Sequence, residues 1–310
     1  MTITLERSGR VPLGDRTVNR LGFGGMKLAG HRVTGPPADR GAAVAVLRRA
    51  VELGVEHIET SDHYGPHVVN QLIREALHPY PEGLVIVTKV GARRTTDGGW
   101  AEALSPEELR RAVQDNLREL DLDVLDVVSL RMPGLGEPAE RSLAEPFEAL
   151  AELRQEGLIR HLGVSHVTPL QVAEARSVAP VACVQNHYNL IHRVDDPLID
   201  ALAREGIAYT ALEGMSYTSF FPNGVMTPRQ SAALEAVARP LGASPAQVAM
   251  AWLLARSANL LVIPGAASVA QLEQNVAAAA LELDPLDLAE LERIGGTSGP
   301  DPDRGSPARR

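Results

Sequence analysis

Eight short apolar runs, spaced by roughly 20–40 residues and separated by helical patterns, limit what this chain can fold into more than any other feature. They lie at 21–26, 57–59, 84–88, 124–130, 159–164, 181–185, 207–211 and 260–263. Between them apolar residues recur at helical spacing near 39–53, 67–78, 105–120, 142–156, 168–178, 195–205, 229–256 and 268–280. Ser105-Pro106-Glu107-Glu108 is a well-formed helix start, with an N-cap, a proline in the first position and an acidic first turn. Eight strands, most of them followed by a helix, favour a closed (β/α)8 TIM barrel over an open doubly wound sheet. No Gly-x-Gly-x-x-Gly opens a helix behind Leu21-Gly22-Phe23-Gly24-Gly25-Met26, which argues against a Rossmann fold. Residues 2–20 read as an N-terminal hairpin or lid, and 284–294 as an extra C-terminal helix outside the barrel. The barrel is expected to fill 1–296 as one domain, with 297–310, rich in Gly, Pro, Ser and charge, as a disordered tail.

In such a barrel the working groups sit where the strands end. Those positions hold Met26, Glu59, Lys89, Arg131, Ser165-His166, Gln185-Asn186, Tyr209 and Pro264-Gly265. The densest is His57-Ile58-Glu59-Thr60-Ser61-Asp62-His63-Tyr64-Gly65, where an apolar run spills into acids, bases and hydrogen-bonding groups. Alone, it reads equally as a strand end capped by solvated polar residues. The next run closes on Lys89. A tyrosine is a general acid near neutral pH if its pKa falls from about 10, and a neighbouring ammonium does that by stabilising the phenolate. A carboxylate can hold the lysine charged and in place. Glu59, Tyr64 and Lys89, at consecutive strand ends, supply those three roles.

An acid, a tyrosine five residues later and a lysine after the next strand resemble the aldo-keto reductase superfamily. The resemblance spans about residues 20 to 295. It is carried by Ile58-Glu-Thr-Ser-Asp-His-Tyr-Gly65, Thr88-Lys-Val-Gly91, Gly157-Leu-Ile-Arg-His-Leu-Gly-Val-Ser165, Val184-Gln-Asn-His-Tyr-Asn189 and Ile263-Pro-Gly265. A narrower likeness, to its bacterial pyridoxal reductase-like members, rests on Gly35-Pro36-Pro37, Arg74-Glu-Ala-Leu-His-Pro-Tyr80, Leu122-Asp-Val-Leu-Asp-Val-Val128 and Gln247-Val-Ala-Met-Ala-Trp-Leu-Leu254. Many of these are scaffold residues and speak for ancestry more than for substrate.

The resemblance implies metal-free hydride transfer from NADPH, with NADH left open, to a small-molecule aldehyde or ketone. Tyr64 is then the proton donor, Lys89 and Glu59 tune it, and Arg131 steadies oxygen or substrate. Ser165, Gln185 and Asn186 match residues that hydrogen-bond the nicotinamide carboxamide, and His166 stands where the family usually has asparagine. Tyr209 matches the aromatic on which the nicotinamide stacks. Gly25, Met26, Ala211, Leu212, Gly214, Ile263, Pro264, Gly265, Ser268, Gln271 and Asn275 complete the implied cofactor contacts. Taken singly, Ser165 or Gln185 is more often a satisfied strand-end polar group. Only their common register joins them.

Three departures from the family bear on function. Glu59 replaces the commoner aspartate, so its contact with Lys89 must be re-aimed. Arg131 replaces the commoner histidine. It can hold a carbonyl oxygen or a developing oxyanion, or it can pair with Asp126 or a loop carboxylate. The loop Ala211–Asn223 brings Tyr217, Phe220 and Phe221 together in a chain that is only 4% aromatic, which makes it a candidate substrate wall. After Ile263-Pro264 no basic residue stands ready for an adenosine 2′-phosphate, so backbone N–H groups and a helix N-terminus near Ser268 are expected to serve. These changes keep two alternatives open: a barrel catalysing a non-redox elimination or cyclisation, and a non-catalytic dinucleotide-binding subunit.

Composition removes other classes. A net charge of -9 disfavours nucleic acid as a partner. Cys183 is the single cysteine, so neither a disulfide framework nor a thiolate metal site is expected, and His57, His67 and His161 form no metal-ligand spacing. The longest apolar run, 248–255, is too short to cross a bilayer, and the N-terminus lacks a basic segment followed by an apolar one. No membrane association and a cytoplasmic location are expected.

Overall fold

The computed structural model describes residues 5–95, 99–134, 138–212 and 226–295. The predicted Gly214, Tyr217, Phe220 and Phe221 and the tail at 297–310 lie outside the described residues.

Eight parallel strands stand side by side in chain order. They are β3 (Phe23–Gly24), β4 (His57–Glu59), β5 (Val85–Val90), β8 (Leu125–Arg131), β9 (Ile159–Ser165), β10 (Val181–His187), β11 (Ala208–Leu212) and β12 (Leu260–Val262). The ends of this sheet meet: Leu21 bridges to Val262, Gly22 N–H donates to Val262 at 2.9 Å, and Val262 N–H donates to Arg20 at 2.9 Å. That seam closes the (β/α)8 barrel. It demands glycine at position 24, where a Cβ would stand 2.5 Å from the Ile263 carbonyl oxygen. Helices α1 (Arg40–Glu52), α2 (Val68–Leu77), α3 (Pro106–Leu120), α4 (Ala144–Gln155), α5 (Pro169–Val178) and α6 (Asp196–Arg204) follow successive strands. The outward strand residues and the inward helix faces, among them Leu47, Leu72, Phe147 and Trp252, form the main core.

The N-terminal segment is a hairpin and not a lid. Strands β1 (Arg10–Leu13) and β2 (Arg16–Asn19) pair antiparallel. Val11, Leu13 and Val18 then pack with Val85, Val127, Cys183, Ala208 and Leu261 at the beginnings of the barrel strands. The hairpin therefore plugs the end opposite the strand carboxyl termini. Cys183 belongs to this apolar plug, and burial pushes its thiol up to about 11.

The single helical pattern expected at 229–256 is two helices, α7 (Pro228–Ala238) and α8 (Pro245–Arg256). Gly242, at φ +60°, turns the chain between them, and Ser244 starts α8 with a capping box to Gln247. The same Ser/Thr-Pro-x-Glu/Gln device opens α3 at Ser105, α5 at Thr168 and α7 at Thr227. It was legible as punctuation, but the continuous apolar spacing across the break masked it. Helix α9 (Val269–Ala277) closes the last repeat, and α10 (Pro285–Gly295) packs against α7 outside the barrel, as expected of the extra C-terminal helix.

His57 begins β4 with its ring pressed against Gly22, and neither ring nitrogen finds a well-formed hydrogen bond. Burial pushes its pKa down to about 4, with the Asn19 backbone opposing. The unfolded chain therefore binds the proton first as pH falls below the ordinary value near 6.5. Stability should fall with it, by on the order of 2 kcal/mol at about pH 5 from this group. His57→Leu should flatten the loss of melting temperature between about pH 7 and pH 5; an unaltered slope would show that His57 is not its source.

Candidate active site

Glu59 and Lys89 point inward from β4 and β5. The register that pairs Glu59 with Val87 leaves Lys89 two residues further up its strand. The lysine reaches back: its Nζ lies 2.5 Å from Glu59 Oε1 and donates to Thr60 O at 3.2 Å. The longer acid is re-aimed as its length requires, because the same Oε1 accepts from the Gln185 side-chain amide across the barrel. Tyr64 sits in the turn after β4 and is 4% exposed, with Lys89 Nζ 5.0 Å from its ring centre.

The residues beside this pair point the other way and lock it. Thr60 donates to Asn70 on α2 at 2.7 Å, and Asn70 donates to Asn116 on α3 at 2.8 Å. Thr88 also donates to Asn116, at 2.6 Å. All four are fully buried and fully partnered, so the backbone carrying Glu59 and Lys89 is fixed from behind.

Burial pushes the Tyr64 phenol above its usual pKa; Lys89 opposes this and Glu59 reinforces it. The expected lowering does not occur, because desolvation outweighs Lys89, whose charge Glu59 at 2.5 Å partly offsets. Burial also works against the Lys89 charge, but Glu59 and Tyr64 outweigh it and hold the ammonium above the usual lysine value. Tyr64 thus rests as a phenol beside a permanently formed ion pair.

The strand ends open into a cavity. Tyr64, Lys89, Arg131, Ser165 and Gln185 give its polar side, while Met26, Trp100, Met132, Pro133 and Leu212 give apolar walls. Arg131 ends β8 and donates to the carbonyls of Met132 and, at 2.7 Å, Gly134. The pairing with Asp126 is not found: Asp126 accepts from Ile86 N at 3.0 Å and lies 3.6 Å from Arg160. A second antiparallel hairpin, β6 (Ala92–Arg94) and β7 (Trp100–Glu102), forms one rim. There the Arg94 guanidinium covers the Trp100 ring at 3.6 Å, and the His63 ring meets Trp100 edge-on at 4.8 Å. The sequence reading did not place His63 or Trp100, although Trp100 is one of only two tryptophans.

Of the residues matched to cofactor contacts, Met26, Ser165, Gln185 and Leu212 line the cavity. Ser165 donates to Gln185 at 3.2 Å. His166 adopts φ +60°, a left-handed conformation that Asn and His tolerate better than most residues, and its buried Nε2 has no partner among the described residues. Gly25 lies against the Glu59 carbonyl. Ile263, Pro264 and Gly265 form the barrel seam; Asn275 donates to Gly265 O, and Ser268 and Gln271 shape the start of α9. The Lys27 side chain crosses Gly265 from the other side of the seam, with its Cγ 3.1 Å from where a Cβ would stand. A basic group is therefore present here, supplied by the first repeat.

Three of the matched residues face away from the cavity, against expectation. Asn186 faces the helices, bonding Val167 O at 2.8 Å and Asp195 at 2.6 Å. Tyr209 also faces outward, fully buried, its hydroxyl donating to Asp195 at 2.8 Å and its ring edge-on to Tyr188. Both sit one residue out of phase with inward-pointing neighbours, Gln185 and Ala208, and a strand alternates faces at every residue. Ala211 is outward for the same reason.

Removing one partner of a buried ion pair leaves the other charge uncompensated, which typically costs about 3–5 kcal/mol. Lys89→Met should therefore lower stability in chemical denaturation by that scale as well as abolish turnover. Adding Glu59→Leu should restore most of the stability and none of the activity. A single variant as stable as the parent would refute the pairing.

The comparisons with known proteins agree with this geometry. The family model described as Aldo/keto reductase family matches residues 20–295. The chain is 57% identical over 289 residues to the pyridoxine 4-dehydrogenase of Escherichia coli (strain K12), covering 93% of this chain and 98% of that one. It is 36% identical over 293 residues to an uncharacterized oxidoreductase of Schizosaccharomyces pombe, covering 94% and 92%. Among solved structures, a thermostable aldo-keto reductase in complex with the inhibitor epalrestat superposes with a TM-score of 0.77 at 28% identity, over 92% of this chain and 99% of that one. An aldo-keto reductase from Klebsiella pneumoniae in complex with NADPH superposes with a TM-score of 0.75 at 25% identity, over 92% and 94%. With its family model spanning the whole barrel and its acid, lysine and tyrosine gathered at one mouth, this chain belongs to the aldo/keto reductase family and is an oxidoreductase.

Proposed function

We propose that this protein interconverts pyridoxal and pyridoxine, reducing the ring aldehyde to the alcohol with NADPH. The observation that carries the substrate is the 57% identity, along 98% of its length, to a pyridoxine 4-dehydrogenase. The cavity supports it, with room for a small aromatic aldehyde between apolar walls and Tyr64, Lys89 and Arg131.

The residues present fit a nicotinamide dinucleotide. Ser165 and Gln185 offer a hydroxyl and an amide to the cavity, and His166 Nε2, without a partner among the described residues, lies against Gly134 on its lining. Gly24 and Gly265 leave the seam as bare backbone, with Lys27 alongside and the start of α9 beyond. We assign the first group to the carboxamide and the second to the phosphates. When bound, NADPH supplies the hydride. Tyr64 supplies the proton to the carbonyl oxygen, and Glu59 holds Lys89 charged beneath it. Burial keeps the phenol protonated, which suits it to give a proton in reduction. In alcohol oxidation the same hydroxyl must first lose its proton, so that direction should gain from high pH. The non-redox and non-catalytic alternatives are not favoured, since the full acid, lysine and tyrosine arrangement is kept.

Pyridoxal should support NADPH oxidation with pyridoxine as product. Tyr64→Phe should lower turnover by about 10²–10⁴, the usual cost of losing a general acid, while NADPH still binds in a fluorescence titration. Undiminished turnover in that variant would defeat the mechanism, and no pyridoxine formed would defeat the substrate. Because the Tyr64 pKa is raised, kcat/KM for a non-titrating aldehyde such as benzaldehyde should show no Tyr64 limb between about pH 6 and 9. A decline centred below the ordinary tyrosine value near 10 would contradict the direction of that shift.

A further inference from the structure

We propose that Arg131 selects aldehydes bearing an ionised hydroxyl on the ring carbon next to the formyl group, binding that phenolate while Tyr64 addresses the carbonyl. The inference rests on pyridoxal-type reduction at this site and names the feature of the substrate that the site reads.

Charge balance in the cavity carries the argument. Lys89 and Glu59 neutralise each other at 2.5 Å. Glu102, on the rim, is paired with Arg141 at 2.8 Å. Arg131 has no carboxylate within ion-pair distance among the described residues; its partners are the carbonyl oxygens of Met132 and Gly134. A guanidinium has five N–H donors, so these two bonds leave most of them uncommitted. Arg20, which is buried where Arg131 is half-buried, shows the contrast. It lies away from the cavity and uses Nε, Nη1 and Nη2 on the carbonyls of Leu260, Ser8 and Ser257, as a structural tie.

A half-buried cation facing apolar walls is costly until an anion meets it. Burial already pulls the Arg131 pKa down to about 10. The anion must come from a ligand that is otherwise apolar, to suit Met26, Trp100, Met132 and Pro133. It must also lie close to the reacting carbonyl, because Arg131 and Tyr64 line the same cavity. A planar aldehyde with an acidic hydroxyl on the adjoining ring atom meets all three conditions. The planar guanidinium donates in a fork to such an oxygen, which a histidine at this position cannot do.

The test compares 3-hydroxypyridine-4-carboxaldehyde, its 3-methoxy ether and pyridine-4-carboxaldehyde, which share ring and formyl group. The hydroxy aldehyde should have the highest kcat/KM by about 10- to 100-fold, the scale of one charged hydrogen bond. Arg131→Met should collapse that ratio towards one, mainly through KM of the hydroxy aldehyde, and Arg131→Lys should restore part of it. The NADPH dissociation constant should stay within about twofold. A ratio that survives Arg131→Met, or a loss that tracks weakened NADPH binding, overturns the proposal. If the variant does not fold, the parent enzyme decides: a methoxy ether as good as the hydroxy aldehyde also overturns it. Pyridoxal turnover with an Arg131-independent ratio refutes this inference alone. No pyridoxal turnover with an Arg131-dependent ratio refutes the substrate and leaves the inference standing.

Discussion

The site depends on one buried ion pair. Glu59 and Lys89 sit 2.5 Å apart inside the barrel, each almost completely removed from water. Neither charge is tolerable there alone, so the two strands bearing them must hold a fixed relative register. The barrel provides that register through backbone ladders. The Thr60–Asn70–Asn116–Thr88 chain then pins the same two strands to α2 and α3. The chemistry faces inward and its support faces outward, one residue apart along each strand.

A consequence is that the pair acts less as a source of positive charge than as a fixed dipole under Tyr64. Electrostatic influence falls quickly when charge and countercharge are this close, and burial then governs the phenol. That leaves Arg131 as the cavity's outstanding charge. A histidine there would be adjustable, whereas arginine stays cationic and changes what kind of ligand completes the site.

The rim follows a different logic. The β6–β7 hairpin is added between β5 and α3 and joins the mouth through aromatic and cation contacts among His63, Arg94 and Trp100. Arg94 also donates to the carbonyls of Arg32 and Val33, which ties the rim to the first repeat. Loops set on a rigid barrel are where substrate choice is made, and here part of one wall is built as regular structure.

By itself the sequence determined the barrel and the gathering of Glu59, Tyr64 and Lys89 at its mouth. Eight apolar runs alternating with helical spacing leave few other folds, and Glu59, Tyr64 and Lys89 lie close enough in sequence for their strand ends to be read directly. Other facts were decided only by the tertiary structure. Runs such as Val181–Gln185 and Ala208–Leu212 are buried on both faces, so they carry no polar alternation to say which side chains point inward. One residue of phase therefore sent Asn186 and Tyr209 to the helix layer and kept Gln185 in the cavity. Lys27 came to the seam because a closed barrel makes its first and last strands neighbours, a contact between residues more than two hundred apart. The direction of the Tyr64 shift was likewise beyond local reading, since desolvation is a sum over everything packed around a group, and neighbours in sequence are only a small part of it.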